Sequence, residues 1–189
     1  MNSSLTKNEL RTLYKAKRMA LSQDEVSFLS QKMLEKFILQ FNPIENQKVN
    51  VFLAIEKFNE VNTQIFIDYF FENKIRVFVP KIENEKLISV EVFPDSEFEI
   101  NDWGIKEPTS NIGVNAQFDY VLTPLIYCDR FGNRVGYGKG FYDLFFSDNC
   151  EINKKIGLNF FHPKEDISDV FENDIPLDGL ITPSGYFLF

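Results

Sequence analysis

Residues 118–143, FDYVLTPLIYCDRFGNRVGYGKGFYD, pass through three kinds of local chemistry in one stretch. Residues 118–126 form an apolar run of the kind that suits a strand buried on both faces. Residues 129–134, DRFGNR, have the composition of a turn. Gly136, Gly138 and Gly140 then alternate with other residues, Lys139 stands between the last two, and FYDLFF reads as the start of a helix. Strand, glycine loop and helix in that order place the loop outside the carboxyl end of a strand, where open α/β sheets bind ligands. Glycine there lets backbone N–H groups approach an anion closely, and the helix N-terminus adds a favourable dipole. Arg134 and Lys139 would supply charge, the arginine in a two-pronged way. The spacing matches neither GxxxxGK-Ser/Thr nor GxGxxG, so on spacing alone a phosphate loop and a generic glycine-rich turn both stay open. Asp143 has two readings as well: an ordinary first-turn aspartate, or a ligand for a hard divalent cation held beside phosphates.

The rest of the chain supplies a sheet for that loop. Residues 48–55 (KVNVFLAI) predict a strand, 63–73 an amphipathic helix and 75–80 (IRVFVP) a second strand. That order signals a parallel βαβ unit. Residues 87–93, 155–161 and 177–182 predict further strands. Near the start, Thr6-x-x-Glu9 and Ser22-x-x-Glu25 are capping boxes that open two helices, the second running to about Phe41. Leu10, Leu13, Tyr14 and Leu21 give the first helix an apolar face; Lys7, Arg11 and Lys15 form a separate stripe at i, i+4 and i+8. Lys7 in the first turn opposes the helix dipole, a cost that an anion bound there would offset. No repeat or linker interrupts the chain. The expected fold is a single three-layer α/β/α domain over residues 1–189, with a largely parallel but mixed sheet and an N-terminal helical pair.

Composition narrows the function classes. The net charge is −8, which disfavours a broad nucleic-acid or anionic-membrane surface. Lys7, Arg11, Lys15, Lys17 and Arg18 nevertheless stand against Glu9 alone in the first 18 residues, so either a local anion site or a solvated basic helix face is present. No run reaches the roughly 18 apolar residues of a membrane span, and the start lacks the apolar core of a secretory signal. Two cysteines, Cys128 and Cys150, with no CxxC, predict a reduced, cytoplasmic protein. The single histidine, His162, stands beside Pro163 and reads as a surface loop residue.

Four segments together resemble the 5-formyltetrahydrofolate cyclo-ligase family, also called 5,10-methenyltetrahydrofolate synthetases. The signature G-x-R-(L/V)-G-x-G-(G/K)-G-(F/Y)-Y-D stands here as GNRVGYGKGFYD, residues 132–143. K-x-x-L-R appears as KNELR (7–11), W-G-I-x-E-P as WGIKEP (103–108), and (H/N)-D-x-x-(L/V)-D as NDIPLD (173–178). The resemblance implies ATP-dependent conversion of a small-molecule substrate, 5-formyltetrahydrofolate, to 5,10-methenyltetrahydrofolate, with Mg²⁺, in a monomer or weak dimer. It implies that Lys7, Asn8, Glu9, Leu10 and Arg11 meet ATP together with Arg134, Val135, Gly136, Tyr137, Gly138, Lys139, Gly140, Phe141 and Tyr142. It further implies catalytic roles for Arg134 and Lys139, and Mg²⁺ on Asp143 and Asp174. Folate contacts fall to Leu53, Glu60, Trp103 and Tyr142, with Glu60 fitting better than Glu56 by its place before a helix. Two other classes remain open: a folate- or nucleotide-binding protein without turnover, and an α/β enzyme acting on a phosphorylated sugar or CoA.

Overall fold

Strands that are apolar on both faces need cover on both faces, and that need sets the layers. The computed structural model describes residues 3–101, 104–114, 116–149 and 151–189. Seven strands, β1 Lys48–Val51, β2 Arg76–Glu83, β3 Lys86–Val92, β4 Phe118–Pro124, β5 Ile152–Leu158, β6 Gly179–Thr182 and β7 Gly185–Leu188, form one sheet in the order β7-β6-β5-β4-β1-β2-β3. The five inner strands are parallel and the two edge strands antiparallel. Side chains alternate between the faces. Val77, Val79, Tyr120 and Leu122 pack with Met33, Phe37, Phe66 and Phe70 of helices α2 (Gln23–Phe41) and α3 (Gln64–Glu72), as α1 (Lys7–Met19) precedes them in the chain. Phe78, Phe118 and Val121 pack on the other side with Phe145 and Phe146 of α4 (Phe141–Asp148). The three layers and the mixed sheet are those expected.

Both capping boxes form. Thr6 Oγ1 accepts from the Glu9 N–H at 3.3 Å while the Thr6 N–H donates to Glu9 at 2.9 Å, and Ser22 with Glu25 repeats the pattern. The first helix buries Leu10 and Tyr14 as expected, and Arg18 with them, while the expected Leu13 is exposed. Those three lie four apart on one stripe, whereas Leu13 falls off it.

Strand limits also shift. β1 ends at Val51, four residues before the predicted end, because the chain must leave the sheet there to build a loop. β2 runs on to Glu83 because it folds back onto β3 through Asn84 and Glu85, both at positive φ (48° and 62°), as a tight two-residue hairpin requires. The edge strand β7 was not predicted; its four residues are too short to show a period. Among the described residues no helix is long and apolar enough to cross a membrane.

Counted along the chain, the parallel strands run 2-1-3-4-5 across the sheet, so the winding reverses between β1 and β4. The segments leaving the carboxyl ends of these two strands diverge and open a crevice. Helix α1 is drawn over that edge: Leu10 and Tyr14 pack with Ile126, Tyr127 and Val135, and Ser4–Leu5 pairs in parallel with Asp166–Ile167.

Gly132 ends the turn that leads to the crevice. Its φ is +84°, and a Cβ there would lie 2.6 Å from the Leu177 carbonyl oxygen. Gly185 has open space around it. Gly132→Ala is expected to cost about 2 kcal/mol or more, and Gly185→Ala less than about 0.5. Urea unfolding with unchanged slope measures both; equal effects at the two sites would contradict this packing.

Candidate active site

A cavity of about 590 Å³ opens at the carboxyl ends of β1 and β4, in the crevice where the winding reverses. One wall is apolar, from Leu53, Ile55, Phe58, Ile82 and Leu87. The opposite wall is polar, from Lys7 and Arg11 of α1, residues 136–143, and Asp174.

The glycine loop is held at both ends. Tyr127–Cys128 pairs with Arg134–Val135 around a turn in which Asp129 Oδ1 accepts from the N–H groups of Phe131 (2.9 Å) and Asn133 (3.0 Å). Asp129 is an aspartate used to satisfy a turn, as its composition predicts. Beyond the turn, the Arg134 side chain is only 6% exposed. It donates to Asp143 Oδ1 at 2.7 Å and to the Ile175 carbonyl, and Asp143 Oδ1 also accepts from the Ile175 N–H at 3.1 Å. One arginine thus ties the start of the loop to α4 and to the segment carrying Asp174. Between these ties, Gly138 and Gly140 have φ of +92° and +71°, a backbone that side chains rarely tolerate. Gly140 is the N-cap of α4 and brings no side chain between the helix end and the cavity.

On the side of α1 and the glycine loop, each cation but Lys139 has a defined polar neighbour. Lys7 Nζ pairs with Asp174, and the Lys7 N–H donates to Asp169 at 2.6 Å, so acidic groups meet both the lysine and the positive end of α1. Arg11 Nε donates to the Gly136 carbonyl at 3.0 Å. Lys139 is exposed and makes no ion pair among the described residues. Burial pushes the Arg134 pKa down, opposed by the charges of Asp143 and then Asp174, which places both carboxylates in its field.

The inner end of the cavity carries a second set of groups. Glu60 is buried; its Oε2 accepts from the Ile55 N–H at 2.8 Å, and its Oε1 accepts from the Tyr137 hydroxyl. That hydroxyl accepts in turn from Arg18 at 2.7 Å. Burial pushes the Glu60 carboxyl pKa up, while Tyr137, Ile55 and Arg18 pull it back. The Tyr142 hydroxyl is buried without a hydrogen-bond partner among the described residues, and burial pushes its pKa up, so it stays a neutral donor.

The profile of the 5-formyltetrahydrofolate cyclo-ligase family matches residues 3–183. The chain belongs to this family. It is 33% identical over 182 residues to the 5-formyltetrahydrofolate cyclo-ligase of Mycoplasma pneumoniae, spanning 94% of this chain and 98% of that one. Identity to the Escherichia coli 5-formyltetrahydrofolate cyclo-ligase is 27% over 180 residues, spanning 91% and 97%. The fold is similar to the NMR structure of Aquifex aeolicus 5,10-methenyltetrahydrofolate synthetase, with a TM-score of 0.81, 26% identity, and 97% and 93% of the two chains covered. Membership makes this chain an ATP-dependent cyclo-ligase of folate metabolism.

Of the residues that the cyclo-ligase pattern singled out, Lys7, Arg11, Leu53, Glu60, Arg134, residues 136–143 and Asp174 line the one cavity. Four named for ATP do not. Asn8 is exposed, Glu9 is occupied in its capping box, and Leu10 and Val135 are fully buried in the packing beneath α1. Glu56 is exposed outside the cavity, whereas Glu60 lines it, as does a second buried glutamate, Glu107. Trp103 lies outside the described residues. His162 is an exposed loop residue whose ring meets Ser184, away from the cavity. Arg18 was not anticipated, although an arginine on the Leu10–Tyr14 stripe of an amphipathic helix is a signal for a buried polar role.

Arg134→Met would leave the Asp143 carboxylate and the Ile175 carbonyl without their donor. The expected loss is roughly 2–3 kcal/mol, below that of fully enclosed ion pairs because Asp143 keeps 31% side-chain exposure. Urea unfolding measures it; a loss under about 0.5 kcal/mol would show that the brace carries no weight.

Proposed function

We propose that residues 136–140 cradle the ATP phosphates, and that the apolar wall with Glu60 holds 5-formyltetrahydrofolate so that its formyl oxygen meets the γ-phosphoryl group. The observation that carries the reading is the meeting, in one crevice, of a glycine loop, cations and two carboxylates on one side with an apolar wall ending in a buried glutamate on the other.

The chemistry follows from the substrate. A formyl group on nitrogen is an amide, and its oxygen is a poor leaving group. Transfer of the γ-phosphoryl to that oxygen releases ADP and makes the oxygen part of a phosphate. N10 of the folate then attacks the formyl carbon, the C–O bond breaks, inorganic phosphate leaves, and N10 gives up its proton. The ring closes as the methenyl product. The protein has to align three groups and neutralise charge; no side chain has to act as a nucleophile. Lys139, exposed beside the cavity, would follow the transferred group, while Lys7 and Arg11 meet the other phosphates. Arg134 holds the loop and faces the same space.

Asp143 and Asp174 would hold Mg²⁺. Each commits one carboxylate oxygen to the protein: Asp143 Oδ1 to Arg134 and Ile175, Asp174 Oδ2 to Lys7 and Phe171. One oxygen on each is left for a cation that prefers one or two carboxylates and completes its shell with phosphate oxygens and water. Bound there, the ion would screen phosphate charge. The chain would act on its small-molecule substrate as a monomer or weak dimer, and the buried Cys128 thiol suits a cytoplasmic setting.

The test mixes the protein with Mg-ATP and 5-formyltetrahydrofolate and follows methenyl product by absorbance. Product should need ATP, vanish with EDTA and return with excess Mg²⁺. Lys139→Ala should fold normally and lose about 10²–10³-fold in turnover; wild-type turnover would remove it from the site. Because burial raises the Glu60 pKa and the ionised form is the acceptor, kcat/KM for the folate should fall on acidification with a midpoint above the ordinary 4.5. Glu60→Gln should lack that limb; an unchanged limb in the variant would assign it to another group.

A further inference from the structure

Tyr137 belongs to two places at once. Its backbone is the centre of Gly136-Tyr137-Gly138, and its side chain turns away from the loop into the folate end of the cavity. There its ring leans on Phe58, with centroids 5.7 Å apart. Its hydroxyl donates to Glu60 and accepts from Arg18. Among the described residues, the stretch 136–138 has only two ties to the rest of the protein: this side chain, and the Arg11 bond to the Gly136 carbonyl. The glycines on either side have no side chains with which to fasten the loop.

Arg18 and Glu60 do not form a direct ion pair; the tyrosine hydroxyl stands between them. Arg18 is anchored by its own bond to the Leu125 carbonyl, 3.2 Å away at the end of β4, and is 4% exposed. Glu60 is anchored through Ile55, in the apolar wall. A displacement of the loop therefore moves the hydroxyl against a fixed guanidinium on one side and a buried carboxylate on the other.

We propose that Tyr137, oriented by Arg18, couples the two substrate sites, so that ordering the glycine loop around the nucleotide sets Glu60 for the folate, and the reverse. This rests on the roles given above to the loop and to Glu60. A ligand that fixes the loop fixes the tyrosine hydroxyl, and the second ligand then meets a carboxylate already in place and loses less freedom on binding. Thermodynamics requires the effect to be equal in both directions. Tyr137 and Arg18 are positioning residues: they act through Glu60 and the loop rather than on the reacting atoms.

The experiment measures the Kd of 5-formyltetrahydrofolate with and without saturating Mg and a non-hydrolysable ATP analogue, and the Kd of the analogue with and without the folate. In the wild type each ligand should tighten the other by about tenfold. In Tyr137→Phe the factor should fall below about twofold. A merely structural role would weaken binding by one factor whether or not the other ligand is present, leaving the ratio intact, and that result would overturn the proposal. Wild type that binds both ligands without mutual effect would overturn it too while sparing the assigned sites. Wild type that binds neither would remove the functional reading beneath it. Should Tyr137→Phe not fold by thermal unfolding, Arg18→Met decides: it loses the donor to the hydroxyl and should also lose coupling, with Arg18→Lys restoring part of it. Full coupling in Arg18→Met would overturn the relay.

Discussion

A guanidinium withdrawn from water destabilises a fold unless its donors are met, and Arg134, with a side chain 6% exposed, is withdrawn almost completely. Its donors are met by Asp143 and by the Ile175 carbonyl, and Asp143 returns a bond to the Ile175 N–H. This closed set joins three stretches of chain: the end of a turn, the first turn of α4, and the loop that carries Asp174, where the Leu177 N–H also donates to the Gly132 carbonyl at 2.9 Å. The glycine loop hangs between two of them. Without that brace, glycines at positive φ would leave the loop with more conformations, restrained by Arg11 and the Tyr137 side chain. With it, the loop keeps its opening toward the cavity.

The same set explains how an acidic chain can present a site for a polyanion. The net charge is −8, yet Lys7, Arg11, Arg134 and Lys139 converge on one crevice. Two of the four are partnered by Asp174 and Asp143, which keeps their cost low while the crevice is empty of substrate. Arg11 spends its Nε on the loop backbone. Of these four, Lys139 is the exposed one that makes no ion pair among the described residues. Such a graded arrangement lets positive charge be concentrated locally without net positive charge on the protein.

The fold was largely legible from residue pattern because its rules are local. Capping boxes at Thr6 and Ser22, apolar runs at residues 75–80 and 118–126, and the strand–helix–strand order each carry their own signal. Strand ends were not legible, since β1 stops where the crevice begins and β2 continues where β3 pairs with it. Where glycine, charge and spacing coincide in the sequence, at Arg134 and residues 136–143, the chain does line the cavity. Asn8, Glu9 and Leu10 fall off the cavity because a motif written as a string counts every position while a helix turns each side chain to a different face, and Val135 falls off it because alternate side chains of a strand face opposite ways. The role of Arg18 is not legible, since its side-chain partners are supplied by segments 107 and 119 positions away.

The central claim is that backbone N–H groups of the glycine loop hold the nucleotide phosphates. With nine glycines in the chain, a protein labelled with ¹⁵N at glycine alone gives a spectrum simple enough to test it. Adding Mg-ADP should move the amide signals of Gly136, Gly138 and Gly140 and leave those of Gly113, Gly179 and Gly185 in place. Saturable binding that shifts the distant glycines and leaves the loop signals unmoved would contradict the account.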